Sequence, residues 1–277
     1  MKSAMGSRSI KDTFQGLASS GSTGIIPFIT VGFPDVYTTM KLVPALAQAG
    51  ADIIELGVPF SDPLADGATV QKASFHALEQ GVTMKTCLEV CSELRSQGTE
   101  IPLVFMGYYN QFLAFGLKRF AAEAQRSGLN GVIVPDLPPE EAGPLGDECR
   151  SHGIDLIPLL APTSKDSGIA SACRLAGGFI YCVSLAGVTG SRDSVSEEAE
   201  GLVRRVRNHT DLPVAVGFGL SQAEHIRAVG QFADAAIVGS ALVNVIDSAP
   251  AGEAVRRAAE FVSGLSQSKQ PLSGGAS

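Results

Sequence analysis

Eight short apolar runs, rich in Val, Ile and Leu, recur along the chain with amphipathic segments between them. Continuous apolar runs of this length are typical of parallel strands buried on both faces. Strand and helix alternating eight times predict one closed (β/α)8 barrel of the TIM-barrel class. The 277 residues suit one such barrel, which needs about 250. The runs are 24–32, 51–57, 101–107, 130–136, 154–160, 178–184, 212–219 and 234–240.

Two helices are expected outside this alternation. The interval after the second run is wide, so an extra helix should fill residues 68–80, and a helix near 8–19 should close the bottom of the barrel. We therefore predict a single barrel domain over residues 1–265. The Ser- and Gly-rich segment 266–277 is expected to be a disordered tail.

Composition excludes several classes of function. The net charge of -7 gives an acidic surface that repels phosphate backbones, so no nucleic acid is expected as a partner. No apolar run approaches the roughly 18 residues of a membrane span, and no signal peptide is visible. The five cysteines form no C-x-x-C pair and are interpreted as reduced core thiols. We predict a soluble, cytoplasmic protein that binds no membrane.

The segment "ELGVPFSDPLADG", residues 55–67, carries the first candidate site. Barrel enzymes do their chemistry at the C-terminal ends of the strands, and Glu55 lies near the end of the second run. Side chains alternate along a strand, so Glu55 faces the barrel interior if Ile53 does. Burial would raise the pKa of Glu55 and suit it to proton transfer near neutral pH. The alternative is a structural carboxylate satisfied by backbone N–H groups.

Two more carboxylates, Asp62 and Asp66, lie on the loop that follows. The loop "SDPLADG" has turn chemistry, so both aspartates could simply staple it. The loop rises from the same strand as Glu55, however, and can bend back over the barrel mouth. It would then place one of these carboxylates opposite Glu55.

Three Gly-containing turns follow the sixth, seventh and eighth runs, at 186–191, 216–221 and 238–242. Glycine lets the backbone approach a ligand closely, and we expect Ser240 at the N-cap of a short helix. Helix N-termini present free N–H groups and a positive dipole end to anions. The turns therefore predict a phosphate site made by backbone dipoles, against the alternative of mere tight turns.

Six segments, in order and over roughly residues 7–265, resemble the α subunit of tryptophan synthase. That family cleaves indole-3-glycerol phosphate to indole and glyceraldehyde 3-phosphate. It works in an α2β2 heterotetramer, whose β subunit uses pyridoxal phosphate to join the indole to serine. The segments are "PFITVGFPD", "ADIIELGVPFSDPLADG", "GVIVPDLPPEE", "LAGVTGSR", "PVAVGFGLS" and "AIVGSALV".

The resemblance implies roles for individual residues. It makes Glu55 and Asp66 catalytic, and Tyr181 a support for the aspartate. This chain departs from many members at Phe33, where they have Asp, and from some at Leu185–Ala186, where they have Arg-Ser on a mobile loop. The positions implied to bind substrate are Phe28 in the indole pocket and Gly190, Phe218, Gly219, Gly239 and Ser240 at the phosphate.

The implied reaction is a retro-aldol cleavage, which needs an electron sink. Lys165 is the only lysine near a strand end, and it lies several residues into a loop, so a Schiff base is not favoured. The four histidines form no visible ligand cluster. Indole protonated at C3 is its own sink, so two carboxyls suffice. Asp66 would stabilise charge at the indole nitrogen, and Glu55 would move protons between C3 and the glycerol hydroxyl. We therefore expect no metal and no cofactor in this chain.

Three other functions stay open from the sequence. One is a stand-alone indole-3-glycerol-phosphate lyase that releases free indole. Another is a different phosphate-binding barrel, such as a sugar-phosphate isomerase, which would leave "SDPLADG" unexplained. The third is a catalytically silent partner of a β subunit, against which the intact Glu55 and Asp66 argue.

Overall fold

The computed structural model describes residues 7–183, 192–217 and 219–269. Within them, the strands are β1 Gly24–Thr30, β2 Ile54–Gly57, β3 Leu103–Met106, β4 Gly131–Ile133, β5 Asp155–Ile157, β6 Leu159–Leu160, β7 Ile180–Val183, β8 Val214–Gly217 and β9 Ala235–Val238. These parallel strands lie side by side in the order β5-β4-β3-β2-β1-β9-β8-β7-β6. The predicted TIM barrel is confirmed.

Helices alternate with these strands and form the outer layer. They are α1 Ile10–Ser20, α2 Val36–Gln48, α3 Ala68–Glu79, α4 Met84–Ser96, α5 Tyr109–Phe115, α6 Leu117–Ser127, α7 Gly143–Ser151, α8 Asp166–Leu175, α9 Arg192–Arg207, α10 Ala223–Val229, α11 Ser240–Asp247 and α12 Ala254–Ser266. The predicted extra helix at 68–80 is α3. No helix in the described ranges is long and apolar enough to cross a membrane.

The fifth predicted strand, 154–160, is interrupted at Pro158. Its first part, β5, pairs with β4, and its second part, β6, pairs with β7. Proline has no N–H to give to a ladder, although the Pro158 carbonyl still accepts the N–H of Tyr181 at 3.0 Å. Between β5 and β6 the ring of strands is therefore continued by the backbone through Pro158.

Helix α1 covers the bottom of the barrel, as the sequence predicts. Ser9 caps it by accepting the N–H of Asp12 at 2.9 Å. Ile10 and Phe14 join the apolar core inside the barrel, where the rings of Phe14 and Phe179 lie 5.7 Å apart. Ile53 belongs to the same interior core, which settles the inward face of β2.

The last described residues also pack on the bottom of the barrel. The Lys269 ammonium donates to the Gly50 carbonyl at 2.8 Å and to Asp52 Oδ2 at 2.6 Å. Asp52 Oδ2 also accepts the N–H of Ile25, at the start of β1, at 2.7 Å. Residues 270–277 of the predicted tail lie outside the described residues.

Candidate active site

Glu55 lies at the mouth end of the barrel interior. It is in register with Phe28 of β1 and Val104 of β3, and only 1% of it is exposed. Neither carboxyl oxygen has a hydrogen-bond partner among the described residues. Burial, with a smaller contribution from the negative charge of Asp66, raises the pKa of Glu55 to about 8. This arrangement does not match a structural carboxylate satisfied by backbone N–H groups.

Asp66 comes to Glu55 from the loop that joins β2 to α3. Its own N–H donates to the Pro63 carbonyl at 3.0 Å, which closes a tight turn. Burial raises the pKa of Asp66 to about 6, while a hydrogen bond from Tyr108 acts in the opposite direction. Asp62 stays exposed, and its carboxylate accepts the hydroxyl of the adjacent Ser61 at 2.5 Å.

Tyr108 is a part of the site that the sequence reasoning missed. Its hydroxyl accepts the N–H of Ala65 at 2.9 Å and lies close enough to the Asp66 carboxyl to lower the pKa of that group. Its ring stacks on Phe60, with centroids 5.0 Å apart. The residue follows the third strand directly, and side chains at such strand ends were the signal that could have found it.

Two glutamines attach the same loop to the neighbouring helices. Gln71 of α3 donates to the Asp66 carbonyl at 2.8 Å. Gln111 of α5 donates to the Pro59 carbonyl at 2.7 Å and accepts the N–H of Tyr108 at 3.0 Å. The loop is thus bonded on both sides by side chains of this chain.

Tyr181 on β7 lies within the electrostatic reach of both carboxyls. Burial raises its pKa well above the ordinary value, and the charges of Glu55 and Asp66 add to that effect. Gly217 makes room for it, because a Cβ there would lie 2.6 Å from the Tyr181 hydroxyl. The structure brings Tyr181 to the carboxyl pair, while its support of Asp66 stays a prediction.

Phe28 forms an apolar wall beside Glu55. Its ring lies against the backbone of Gly57, where a Cβ would come within 2.5 Å of the ring. On its other side Phe28 approaches Gly239, whose added Cβ would lie 3.8 Å from the Phe28 Cβ. Phe28 therefore stands between the carboxyl pair and the predicted phosphate site.

The predicted phosphate site has two described parts. Gly239 is the N-cap of α11 and Ser240 is its first helical residue. The prediction that Ser240 is the N-cap was therefore wrong by one position. The helix begins after Gly239, and no side chain caps it. Gly219 has φ +41°, and a Cβ there would meet no heavy atom of the described residues within 4 Å. Gly190, Phe218 and Leu185–Ala186 lie outside the described residues.

The remaining sequence features lie away from the carboxyl pair. Phe33 packs edge-on against His76, with ring centroids 5.5 Å apart, and the His76 ring bonds the Pro34 carbonyl at 2.9 Å. Across residues 7–183, 192–217 and 219–269, no three His, Cys, Asp or Glu side chains are grouped to hold a metal ion.

The two carboxyls differ in protonation near neutral pH. With a pKa of about 8, Glu55 keeps its proton at pH 7, whereas Asp66, with a pKa of about 6, is ionised. Paired carboxyls whose environments separate their pKa values can act as acid and base at once. The site is therefore equipped to protonate one atom of a ligand and to stabilise a positive charge on another.

Comparisons with known proteins agree on one family. The family model described as tryptophan synthase alpha chain matches residues 14–270. The tryptophan synthase alpha chain of Roseiflexus castenholzii is 52% identical over 253 residues, which cover 91% of this chain and 97% of that protein. The one from Chloroflexus aggregans is 47% identical over 253 residues, 91% of this chain and 95% of that protein.

Solved structures show the same likeness in three dimensions. Tryptophan synthase subunit alpha from Legionella pneumophila superposes with a TM-score of 0.86 at 33% identity, covering 94% of this chain and 97% of that one. A ligand-free tryptophan synthase from M. tuberculosis gives a TM-score of 0.84 at 32% identity, covering 95% and 98%.

Proposed function

This chain belongs to the tryptophan synthase alpha chain family, and from that premise we propose that it cleaves indole-3-glycerol phosphate to indole and glyceraldehyde 3-phosphate. The observation that carries the proposal is the buried, unpartnered Glu55 carboxyl, whose pKa of about 8 depends in part on Asp66. A buried acid that keeps its proton at neutral pH is suited to protonate carbon.

The reaction needs two proton transfers, one from Glu55 to the indole ring and one from the side-chain hydroxyl back to Glu55. The Glu55 carboxyl protonates C3 of the indole ring, which makes the ring an electron sink. The bond from C3 to the glycerol side chain then breaks, and its electrons restore the aromatic ring. The hydroxyl proton of the side chain returns to Glu55 as the aldehyde forms, so the carboxylic acid is regenerated.

Asp66 stabilises the charge that the ring acquires during this step. Its carboxylate is ionised near neutral pH and would accept the indole N–H. Tyr181 and Phe28 would complete the wall around the ring. Their positions beside Glu55 support this assignment.

The substrate phosphate would lie at the N-terminus of α11. Gly239 and Ser240 offer backbone N–H groups at the positive end of the helix dipole, and Gly219 leaves space for an anion. Gly190 and Phe218 belong to the same proposed set of ligands. Backbone dipoles, rather than a lysine or arginine, would hold the phosphate.

A tryptophan synthase β subunit would be the partner, in an α2β2 heterotetramer. Indole is small and apolar, so direct transfer to a neighbouring enzyme prevents its loss. Leu64, at the tip of the Asp66 loop, is 94% exposed and offers an apolar contact at the barrel mouth. This chain would need no cofactor, and pyridoxal phosphate would serve the β subunit.

The cytoplasmic location is part of the same proposal. All five cysteines are buried free thiols, as is usual for proteins kept in a reducing compartment.

The experiment is a cleavage assay of the purified chain with indole-3-glycerol phosphate, alone and titrated with β subunit. We expect slow cleavage alone and faster cleavage with β subunit. The variant Glu55→Gln keeps the side-chain shape and should lower kcat by the roughly 10²–10⁴-fold of a lost general acid–base, with little change in substrate binding.

Two results would contradict the proposal. Near-normal turnover by Glu55→Gln would remove Glu55 from the chemistry. Cleavage that is fast alone and unmoved by β subunit would favour the stand-alone lyase.

A further inference from the structure

Gln111 makes two hydrogen bonds that no ordinary helix-capping residue would combine. Its carbonyl oxygen accepts the N–H of Tyr108, which closes a capping box at the start of α5. Its NH2 group leaves the helix and donates to the Pro59 carbonyl at 2.7 Å, 52 positions away in the chain. The second bond contributes nothing to the helix and holds the first residues of the Asp66 loop.

Tyr108 holds the other end of that loop. Its hydroxyl accepts the N–H of Ala65, the residue next to Asp66, and its ring stacks on Phe60. The Gln111 amide is bonded to the backbone N–H of this same tyrosine. The Gln111 amide therefore connects Pro59, at the beginning of the loop, to Tyr108, which holds the end of the loop.

We infer that Gln111 is a positioning residue for Asp66. It does not touch the carboxyl, but it ties Pro59 and Tyr108 together, and Tyr108 bonds the N–H of Ala65, the residue next to Asp66. The inference rests on the proposed function, in which Asp66 must stand opposite the indole nitrogen. It adds that the chain itself holds the loop in place through Gln111, before any partner binds.

Two substitutions separate this role from helix capping. Gln111→Met keeps the length of the side chain and removes both hydrogen bonds. Gln111→Glu keeps an acceptor for the Tyr108 N–H, so the cap survives, but its carboxylate cannot donate to the Pro59 carbonyl and repels it. Gln97→Met is the matched control, because its amide bonds only Glu93 of its own helix, at the end of α4.

Two measurements should be made on each variant of the full chain. For both Gln111 variants we expect kcat to fall roughly 5- to 50-fold with KM nearly unchanged, since a misplacement of about 1 Å can cost about 10²-fold. By hydrogen–deuterium exchange, the Ala65 amide should exchange roughly fivefold faster or more, as a weakened hydrogen bond allows. Gln97→Met should match the wild type in both.

The outcomes are distinguishable. Wild-type turnover by Gln111→Glu, with an unchanged Ala65 exchange rate, would show that Gln111 is only a helix cap and would overturn the inference. Absence of cleavage by the wild type would instead overturn the proposed function, while the exchange measurement would still test whether Gln111 holds the loop in place. If Gln111→Met fails to fold, Gln111→Glu, which keeps the cap, decides the matter alone.

Discussion

At the scale of single residues, the site depends on the desolvation of two carboxyls. Glu55 loses its hydration inside the barrel and meets the charge of Asp66, so its pKa rises to about 8. Asp66 is less deeply buried and bonds Tyr108, so its pKa rises only to about 6. Between these two pKa values there is a pH window in which Glu55 is protonated and Asp66 is ionised.

This window predicts a bell-shaped dependence of kcat/KM on pH. Activity requires Asp66 without its proton and Glu55 with it. The rate should therefore rise as pH increases through about 6 and fall as pH increases through about 8. The measurement is kcat/KM for indole-3-glycerol phosphate across this range, and a rate that keeps rising above pH 8 would show that the protonated form of Glu55 is not needed.

At the scale of elements, the N-terminus of α11 carries the proposed phosphate site. Gly239→Asp would place a carboxylate where backbone N–H groups should meet a dianion, beside Phe28. Binding of indole-3-glycerol phosphate should weaken by at least about 10²-fold, because a favourable helix-end interaction is replaced by repulsion. Free indole, which has no phosphate, should lose much less affinity.

Gly239→Ala is the matched control for this variant. It adds a methyl group without charge where there is room for one, since a Cβ at Gly239 would lie 3.8 Å from the Phe28 Cβ. Binding measured by calorimetry should place it between wild type and Gly239→Asp. Equal losses for indole and for the phosphate ester in Gly239→Asp would indicate a distorted barrel instead of a lost anion site.

The sequence was informative about elements and less so about contacts between them. Buried parallel strands require continuous apolar runs, so the alternation of strand and helix patterns alone predicted the barrel. Ile53 and Glu55 are two positions apart and share one face of the strand, which predicted that the carboxyl points inward. The break at Pro158 was not predicted, since Pro27 lies inside β1 without interrupting its pairing with β9. Tyr108 could have been found only by its place after the third strand, because its bond reaches a loop residue 43 positions away. Gln111 could not be assigned, because its bond reaches a loop residue 52 positions away.

At the scale of the whole molecule, the C-terminal segment fastens the barrel at its bottom. Lys269 and Asp52 form an ion pair with side chains only 17% and 18% exposed, and Asp52 also takes the N–H of Ile25 at the start of β1. Lys269→Met keeps the aliphatic part and removes the charge. We expect a loss of about 1.5–3 kcal/mol in the free energy of unfolding, the range for a hydrogen bond to a charged group.

The measurement is urea denaturation of Lys269→Met beside Lys85→Met. Lys85 pairs with Glu89 on the exposed face of α4, with both side chains more than half exposed, so its loss should cost much less. Catalysis should be unchanged in both variants, because neither residue lies at the barrel mouth. Equal stability of the two variants would show that the Lys269–Asp52 ion pair contributes no more than an exposed pair.

The interruption at Pro158 has a further consequence, for the order in which the chain can assemble. Every strand pairing but one joins strands that follow each other in the chain, and the exception is β1 with β9. Most of the loop-closure entropy of the ring is therefore lost in a single step, the pairing of β1 with β9, in which Gly24 lies beside Ala235. Two contiguous half-rings, one on each side of Pro158, can form from local contacts before that last pairing joins them.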